Sequence, residues 1–278
     1  MKVKPEKKVR VGDAVFGGDR LALIAGPCVI ESREQCLRLA EHIKKVADEL
    51  RVPCVFKASY MKANRSSVRS FTGPGSEKGL KILESVRKKT GMPVLSDVHC
   101  RSEVKAAAEV LDMIQVPAFL CRQTSLLMEC GAAGKPVNVK KGQFVAPEDT
   151  RYIVEKLVSS GCKNVLLTER GSTFGYHNLV VDMRGITTMR SLGVPVVFDV
   201  THSLQRPGGE RTSGDRDFAA TLARAAVAAG SDALFVETHE KPDSALSDAE
   251  TMLPASSLRQ FLIDMIGIRE AFLKCALK

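Results

Sequence analysis

Four residues far apart in the chain carry side chains that together could hold a divalent metal ion. They are a thiol, an imidazole and two carboxylates: Cys28, His202, Glu237 and Asp248. Zn²⁺, Fe²⁺, Mn²⁺ and Co²⁺ all accept ligands of these kinds. The spacing forms no local metal motif, so the residue types alone also allow structural roles for these residues. Cys28 could be a small buried apolar side chain, and His202 a hydrogen-bonded residue at a strand end.

A second set of residues is cationic and suits an anionic substrate. The set consists of Lys57, Lys62, Arg65, Lys140 and Arg170. Clustered cations repel one another and are costly to bury without anions, so we expect a phosphate or carboxylate ligand among them. Arg would bind such a ligand in a bidentate manner and Lys as a point charge. The segment KANRSS (62–67) adds amide and hydroxyl donors, which favours an oxyanion site over plain surface charge.

These residues can meet only if the fold brings distant parts of the chain together. Eight short apolar runs recur along the sequence, and each is typical of a strand buried on both faces. The runs are Leu21–Val29, Pro53–Ser59, Pro93–Val98, Met113–Ala118, Val137–Lys141, Asn164–Glu169, Pro195–Val200 and Ala233–Glu237. Polar residues lie at or near the ends of most runs. Because barrel active sites form at the carboxyl ends of the strands, this pattern predicts a closed (β/α)8 TIM barrel with one active-site mouth.

Amphipathic stretches separate the runs and predict helices. They cover residues 33–50, 76–90, 102–110, 147–160, 215–229 and 255–277, with Ser32 as the N-cap of the first. The segment Val9–Phe16 contains Gly12-Asp13 and predicts a short β-hairpin that caps the bottom of the barrel. No linker divides the chain, so we interpret residues 1–278 as one barrel domain with residues 1–20 as a hairpin extension.

Composition disfavours several other classes of protein. The net charge of +9 is scattered along the chain, which argues against nucleic acid and suits small phosphorylated ligands. No apolar run has transmembrane length, and the amino terminus lacks the apolar core of a signal peptide. The eight cysteines form no Cys-x-x-Cys pair, so we expect free thiols in the cytoplasm, with those other than Cys28 filling gaps in the core. A Walker A loop and a Gly-x-Ser-x-Gly elbow are both missing.

Seven longer motifs stand at or near the predicted strand ends. They are AGPCVIES (25–32), FKASYMKANRSS (56–67), IQVPAFLCRQT (114–124), VNVKKGQF (137–144), LTERGSTFGYHNLVVDMR (167–184), FDVTHSLQ (198–205) and ETHEKPDSALSDAETMLP (237–254). With them the chain resembles the 3-deoxy-D-manno-octulosonate 8-phosphate synthase family along nearly its whole length. The resemblance implies condensation of phosphoenolpyruvate with D-arabinose 5-phosphate for lipopolysaccharide biosynthesis. It also implies a (β/α)8 barrel that usually forms a homotetramer.

The resemblance further implies roles for individual residues. It places phosphoenolpyruvate on Lys57, Ser59, Lys62, Gln115, Lys140 and Arg170. It places the aldose hydroxyls on Asn64 and the aldose phosphate on Arg65 and Ser66, in a site that a second subunit can complete. Lys57 would transfer a proton to the aldehyde oxygen, and Cys28, His202 and Asp248 would act in catalysis through the metal.

The same resemblance bears on the metal. Metal-independent members of the family have Asn where this chain has Cys28, and Gly where it has Ala249. Both residues place the chain with the metal-dependent members, whose ligands would be Cys28, His202, Glu237 and Asp248. The chain departs from the family pattern at two places. Met61 stands where the family usually has Asp, and the loop after Gln205 is slightly shorter than in metal-type relatives.

Several alternatives stay open at this stage. A heptulosonate-phosphate synthase would take erythrose 4-phosphate as acceptor and carry Lys-Pro-Arg-Thr where this chain has KANR (62–65). A class II metal aldolase would not consume phosphoenolpyruvate, and an inactive barrel that senses phosphosugars would bind without turnover. The Gly-rich, charged segment 203–217 follows the seventh predicted strand, and we interpret it as a lid over the site.

Overall fold

Fifteen strands are present in the parts of the chain that the computed structural model describes, residues 7–65, 67–208 and 213–276. They are β1 (Val9–Val11), β2 (Ala14–Phe16), β3 (Ala22–Gly26), β4 (Cys54–Lys57), β5 (Val94–Asp97), β6 (Met113–Val116), β7 (Val137–Lys140), β8 (Val165–Glu169), β9 (Ser172–Thr173), β10 (Leu179–Val180), β11 (Val196–Asp199), β12 (Gln205–Arg206), β13 (Ser213–Gly214), β14 (Ala233–His239) and β15 (Leu253–Pro254).

Eight of these strands close into a parallel barrel. The order is β3, β4, β5, β6, β7, β8, β11 and β14, and β14 pairs back onto β3 to complete the ring. Each predicted run matches one barrel strand, although β14 extends two residues past its run, so the predicted (β/α)8 barrel is confirmed. The short strand β15 adds to the outer part of β14.

Eight α-helices of the described residues surround the barrel. They are α1 (Arg33–Glu49), α2 (Ser76–Thr90), α3 (Arg101–Val110), α4 (Thr124–Ala132), α5 (Thr150–Ser159), α6 (Arg184–Arg190), α7 (Ala219–Ala228) and α8 (Leu258–Ala276). Ser32 caps α1 as predicted, since its hydroxyl accepts a hydrogen bond from the Gln35 amide at 3.2 Å. The sequence patterns did not predict α4 or α6. Helix α6 is only seven residues long, and α4 is largely apolar, so neither shows a clear amphipathic stripe.

The predicted hairpin is formed by β1 and β2 and caps the bottom of the barrel. Its residues Val9, Val11, Ala14 and Phe16 are each at most 2% exposed. They belong to the same apolar cluster as the inward-facing residues of the barrel strands, among them Val55. The hairpin therefore seals the amino-terminal end, which leaves the opposite end for the polar residues.

Two expectations from composition concern thiols and membranes. All eight cysteines lie in the described part of the chain and are free. The expectation that the cysteines besides Cys28 fill gaps in the core is right for five of them. It is wrong for Cys100, which is exposed at the N-cap of α3, and for Cys275, which is exposed near the end of α8. Among the described residues, no helix has the length and apolar character needed to cross a membrane.

A buried ion cluster joins the hairpin side of the barrel to its last strands. The carboxylate of Asp232, just before β14, accepts hydrogen bonds from Arg190 Nε and Nη2, both at 3.1 Å, and from the Val196 amide at 3.0 Å. Arg269 of α8 lies 3.7 Å from Asp232 and donates to the carbonyls of Ser231 and Gly18. One carboxylate thus holds two buried guanidinium groups.

We expect Asp232→Ala to destabilise the fold strongly, because it leaves both guanidinium groups buried without their carboxylate. The loss in free energy of unfolding should be about 3–5 kcal/mol, measured by urea denaturation. The control is Glu129→Ala, which removes an exposed ion pair with Arg101 and should cost less than about 1 kcal/mol. Equal losses in the two variants would contradict this view of the cluster.

Candidate active site

Charged side chains meet at the carboxyl end of the barrel, where the strands end. Lys57 closes β4, Asp97 closes β5, Lys140 closes β7 and Asp199 closes β11, while Glu237 lies near the end of β14. All five are buried. Successive residues of a strand point to opposite sides, so these side chains share the inner face of the barrel. The ring of polar strand ends seen in the sequence is therefore one cluster in space.

Three of the four predicted metal ligands form one group. Cys28, Glu237 and Asp248 each offer a ligand atom, and these atoms lie within 4.8 Å of one another. Cys28 Sγ is 2.8 Å from Asp248 Oδ2, and the buried Glu237 Oε2 has no hydrogen-bond partner in the described ranges. Burial raises the pKa of the Cys28 thiol, and the adjacent Asp248 and Glu237 carboxylates raise it further. A divalent cation would satisfy the unpaired oxygen and favour the thiolate, so these residues fit a metal.

The fourth predicted ligand, His202, lies beside this group. Its Nε2 is 3.7 Å from Glu237 Oε1, and its Nδ1 is 2.9 Å from Asp199 Oδ2. Asp199 also accepts from the backbone amide of His202. An Nδ1–H that donates to Asp199 leaves Nε2 unprotonated and directed toward the acidic group, as a metal-binding imidazole requires.

The predicted cations are paired with these acids. Lys57 Nζ donates to Glu237 Oε1 at 2.6 Å and to the Cys28 carbonyl at 2.8 Å, and Lys62 Nζ lies 3.9 Å from Glu237 Oε1. Lys140 Nζ donates to Asp199 at 2.6 Å. Burial by itself raises the pKa of Glu237, but Lys57 and His202 outweigh burial, so the pKa lies well below its ordinary value. The carboxylate is therefore ionised at neutral pH.

Arg170 presents a donor that has no partner among the described residues. The side chain is buried, and Nη2 donates to Gln205 Oε1 at 2.6 Å, but no described residue accepts a hydrogen bond from the buried Nη1. The turn that carries Arg170 is fixed by Glu169, whose carboxylate accepts from the amides of Arg170 and Gly171. A buried guanidinium nitrogen without an acceptor points to an anionic ligand.

Gln205 connects the anionic-ligand side of the site to the metal group. Its Oε1 accepts a hydrogen bond from Arg170, and its Nε2 donates to Asp248 Oδ1 at 2.7 Å. Asp248 has a positive φ of 48°, an uncommon conformation for a non-glycine residue. The sequence did not by itself indicate a role for Gln205, Asp97 or Asp199. Their positions at or just after strand ends were the sequence feature that could have identified them, and Gln205 and Asp199 also lie in the motif FDVTHSLQ (198–205).

The predicted acceptor residues are less enclosed. Asn64 is exposed, and Arg65 donates to the carbonyls of Phe71 and Leu246. Ser66 lies outside the described residues. Met61 is partly buried and packs against the hydrophobic core, so it offers no polar contact where the resemblance leads one to expect an aspartate.

The segment expected to form a lid contains a small hairpin at its base. Strands β12 and β13 pair antiparallel, with Gln205 opposite Gly214. The Gly214 amide donates to Glu250, and Arg216 donates to the Ala249 carbonyl, so the base of this segment packs on the loop that carries Asp248. Residues 209–212 lie outside the described residues, and the lid remains a prediction.

Behind the site, a hydrogen-bonded group supports the segment after β4. Tyr60 donates to Glu103 Oε2 at 2.8 Å, and the His99 amide donates to the same oxygen at 2.8 Å. Burial raises the pKa of Glu103, but the hydrogen bonds from His99 and Tyr60 outweigh it and lower the pKa from 4.5 to about 2. The carboxylate therefore holds two strand ends together in its ionised form.

Comparison with known proteins gives matches along nearly the whole chain. The sequence profile of the DAHP synthetase I family matches residues 1–274. A protein of Syntrophotalea carbinolica, 2-dehydro-3-deoxyphosphooctonate aldolase, is 54% identical over 263 residues, which cover 94% of this chain and 95% of the relative. Proteins of the same name from Trichlorobacter lovleyi and Cyanothece sp. are 53% and 50% identical, over 92% and 98% of this chain and 95% and 98% of theirs.

The Glu103 group predicts a pH dependence of stability. A folded-state pKa below the unfolded value means that the ionised carboxylate stabilises the fold above pH 4.5, and that this contribution fades as the pH falls toward about 2. Glu103→Gln should therefore unfold at lower urea concentration than the wild type at about pH 6, with the gap narrowing at about pH 3. A gap that stays constant or widens in acid would contradict this role.

Proposed function

We propose, from the premise that the chain belongs to the DAHP synthetase I family and groups there with 2-dehydro-3-deoxyphosphooctonate aldolases, that it condenses phosphoenolpyruvate with D-arabinose 5-phosphate and water. The products are 3-deoxy-D-manno-octulosonate 8-phosphate and phosphate, which serve lipopolysaccharide biosynthesis. The observation that carries this assignment is the barrel mouth, where the unpaired Nη1 of buried Arg170 accompanies a Cys-Glu-Asp group. We assign the activity to residues 1–278 as one domain.

The phosphoenolpyruvate site consists of four cations, a hydroxyl and an amide at the mouth, all of them buried except Lys62, which is partly buried. They are Lys57, Ser59, Lys62, Gln115, Lys140 and Arg170. Arg170 would bind an anionic oxygen through Nη1, and the lysines would add positive charge around the phosphate and carboxylate. Lys57 and Lys140 each donate to a buried carboxylate at 2.6 Å, to Glu237 and to Asp199 respectively, which holds both lysines at the mouth.

The acceptor sugar binds on the segment after β4, above the buried cations. Asn64 would contact its hydroxyls, and Arg65 with Ser66 would bind its phosphate. Arg65 touches the Leu246 carbonyl, so the phosphate site adjoins the loop of Asp248. A second subunit would complete this site in a homotetramer. Four aromatic side chains that are more than half exposed in loops of the same mouth support such an interface: Phe119, Phe144, Phe174 and Tyr176.

The reaction joins C3 of phosphoenolpyruvate to the aldehyde carbon of the sugar. Water adds at C2, and the C2–O bond to phosphate then breaks, which releases inorganic phosphate and the keto group. Lys57 transfers a proton to the aldehyde oxygen, since its ammonium lies between the Glu237 carboxylate and the Cys28 carbonyl. Arg170 and Lys140 stabilise the negative charge on the phosphate as it leaves.

Cys28, His202, Glu237 and Asp248 would hold a divalent metal, in keeping with a metal-dependent member of the family. When bound, a metal at this site would act as a Lewis acid that orients the aldehyde or the attacking water. Zn²⁺, Fe²⁺, Mn²⁺ and Co²⁺ all suit a donor set of one thiolate, one imidazole and two carboxylates. The eight free cysteines support a reducing cytoplasmic location for such a thiolate ligand.

A second candidate is 3-deoxy-D-arabino-heptulosonate 7-phosphate synthase, which takes erythrose 4-phosphate. The description of the matching family profile favours it. The sequence KANR (62–65) where that enzyme would carry Lys-Pro-Arg-Thr, and the names of the relatives that cover most of the chain, favour the eight-carbon product. A class II metal aldolase would release no phosphate from phosphoenolpyruvate.

The substrate assignment is tested by measuring phosphate released from phosphoenolpyruvate with each acceptor. We expect kcat/KM with arabinose 5-phosphate to exceed that with erythrose 4-phosphate by at least about 100-fold, because a site built for one sugar leaves polar groups unpaired with the other. A preference for erythrose 4-phosphate would assign the chain to the heptulosonate class. Cleavage of a product-like ketose phosphate without phosphoenolpyruvate would point to the class II aldolases.

The metal assignment is tested by stripping and restoring the ion. Treatment with EDTA or dipicolinate should abolish turnover, and Mn²⁺ or Co²⁺ should restore it. Cys28→Ser should lower the amount of metal that stays bound to the protein after dialysis, measured by elemental mass spectrometry. The control Cys162→Ser changes a buried thiol near β8 and should leave the amount of bound metal unchanged. Full activity in metal-stripped wild-type protein would rule out this role.

A further inference from the structure

A line of four buried polar side chains crosses the inside of the barrel and ends at Asp97 of the charged cluster. Thr168 Oγ1 donates to Asn138 Oδ1 at 2.7 Å, and Asn138 Nδ2 donates to Gln115 Oε1 at 2.9 Å. Gln115 Nε2 in turn donates to Asp97 Oδ1. The four residues come from the consecutive strands β8, β7, β6 and β5. Thr168 and Asn138 are fully buried and have no role in the reaction described above.

Strand register explains why these residues form a line. Asp97 is paired with Gln115, and Gln115 with Asn138, so three of them occupy one level of the barrel. Thr168 is paired with Lys140, two residues beyond Asn138, which places it one level closer to the mouth. The stagger of neighbouring strands in a barrel brings the Thr168 hydroxyl to the Asn138 amide.

The carboxylate at one end sets the direction of every hydrogen bond in the line. Asp97 is buried beside Lys57 and Lys62, and although burial raises its pKa, these cations outweigh burial and hold the pKa well below its ordinary value. An ionised carboxylate can only accept, so Gln115 must turn its NH₂ group toward Asp97. Its carbonyl then needs a donor, which Asn138 supplies, and the Asn138 carbonyl needs another, which Thr168 supplies.

This direction matters for an anion at the mouth. With its NH₂ group toward Asp97, Gln115 has a second N–H that can donate to an anionic oxygen. The reverse orientation would place the carbonyl oxygen of Gln115 there, where it would repel a carboxylate or phosphate. Ser59, whose hydroxyl donates to Asp97 Oδ2, holds the second oxygen of the same carboxylate.

We infer that Asn138 and Thr168 are positioning residues for phosphoenolpyruvate: their hydrogen bonds hold the amide of Gln115 in the orientation that Asp97 favours, with its NH₂ group available to the anionic substrate. This inference rests on the proposed function, since it assumes that Gln115 contacts phosphoenolpyruvate. It adds two residues that touch neither substrate nor metal and act through Gln115. Their effect should therefore fall on one substrate and disappear when Gln115 is absent.

The test is Thr168→Val, which removes the hydroxyl and keeps the shape of the side chain. Loss of this one donor should raise KM for phosphoenolpyruvate about tenfold, and leave KM for arabinose 5-phosphate within about twofold of wild type. Thr168→Ser keeps the hydroxyl and should restore KM for phosphoenolpyruvate to within about twofold of wild type. In a Gln115→Ala background, Thr168→Val should have no further effect, because the two changes act through one group.

The matched control is Thr150→Val, which removes another buried threonine hydroxyl, bonded to the Pro147 carbonyl at the start of α5 outside the barrel. It should lower stability without changing KM for phosphoenolpyruvate. If Thr168→Val fails to fold, Thr168→Cys replaces it, since a thiol is a weaker donor of similar size and should give an intermediate rise in KM.

Outcomes separate this inference from the proposed function. Wild-type protein without turnover overturns the proposed function and the inference with it. If the wild-type protein is active, three results overturn the inference alone. The first is an unchanged KM for phosphoenolpyruvate in Thr168→Val, or in Thr168→Cys where that variant replaces it. The others are a rise in this KM in Thr168→Ser equal to that in Thr168→Val, and an undiminished effect of Thr168→Val in the Gln115→Ala background.

Discussion

Mutual neutralisation of buried charges is the constraint on which the structure of the mouth depends. Four cations, Lys57, Lys62, Lys140 and Arg170, face four carboxylates at the end of a closed barrel. The carboxylates are Asp97, Asp199, Glu237 and Asp248. Neither set could be buried alone, because an isolated charge loses far more solvation than the protein interior returns. A dication and a multiply charged anion that enter together would preserve this neutrality.

The barrel makes such a cluster possible by separating its two ends. Apolar residues fill the lower interior and are sealed by the hairpin, with Phe16 fully buried. The polar line from Thr168 to Asp97 crosses the barrel next to this apolar layer and meets the charged groups at Asp97. Rigid strands hold these side chains, and the Asp232 cluster fixes the last strand from outside the site. The loops that carry Asn64 and Asp248 then complete the site from above.

The likeness to octonate aldolases and the geometry of the mouth support one another without being the same argument. High identity over nearly the whole chain assigns the family. The geometry adds why the assigned residues suit the chemistry. Within the part of the chain that the structure describes, Glu237 keeps one oxygen free of hydrogen bonds beside Cys28 and Asp248, and Arg170 keeps one nitrogen free at the mouth. One open acceptor and one open donor are what a cation and an anion require.

The sequence alone determined the barrel and its hairpin and predicted six of the eight charged residues at the mouth, because buried parallel strands leave a repeating apolar signal and place polar residues at their ends. It did not reveal α4 or α6, which lack an amphipathic stripe, or the roles of Gln205, Asp97 and Asp199. Those roles depend on which side chains meet across strands. Tertiary structure alone decided that His202 Nδ1 lies beside Asp199 while Nε2 faces Glu237, and that Asn138 donates to Gln115. Such contacts follow from strand stagger and barrel closure, which bring together residues that no sequence spacing connects.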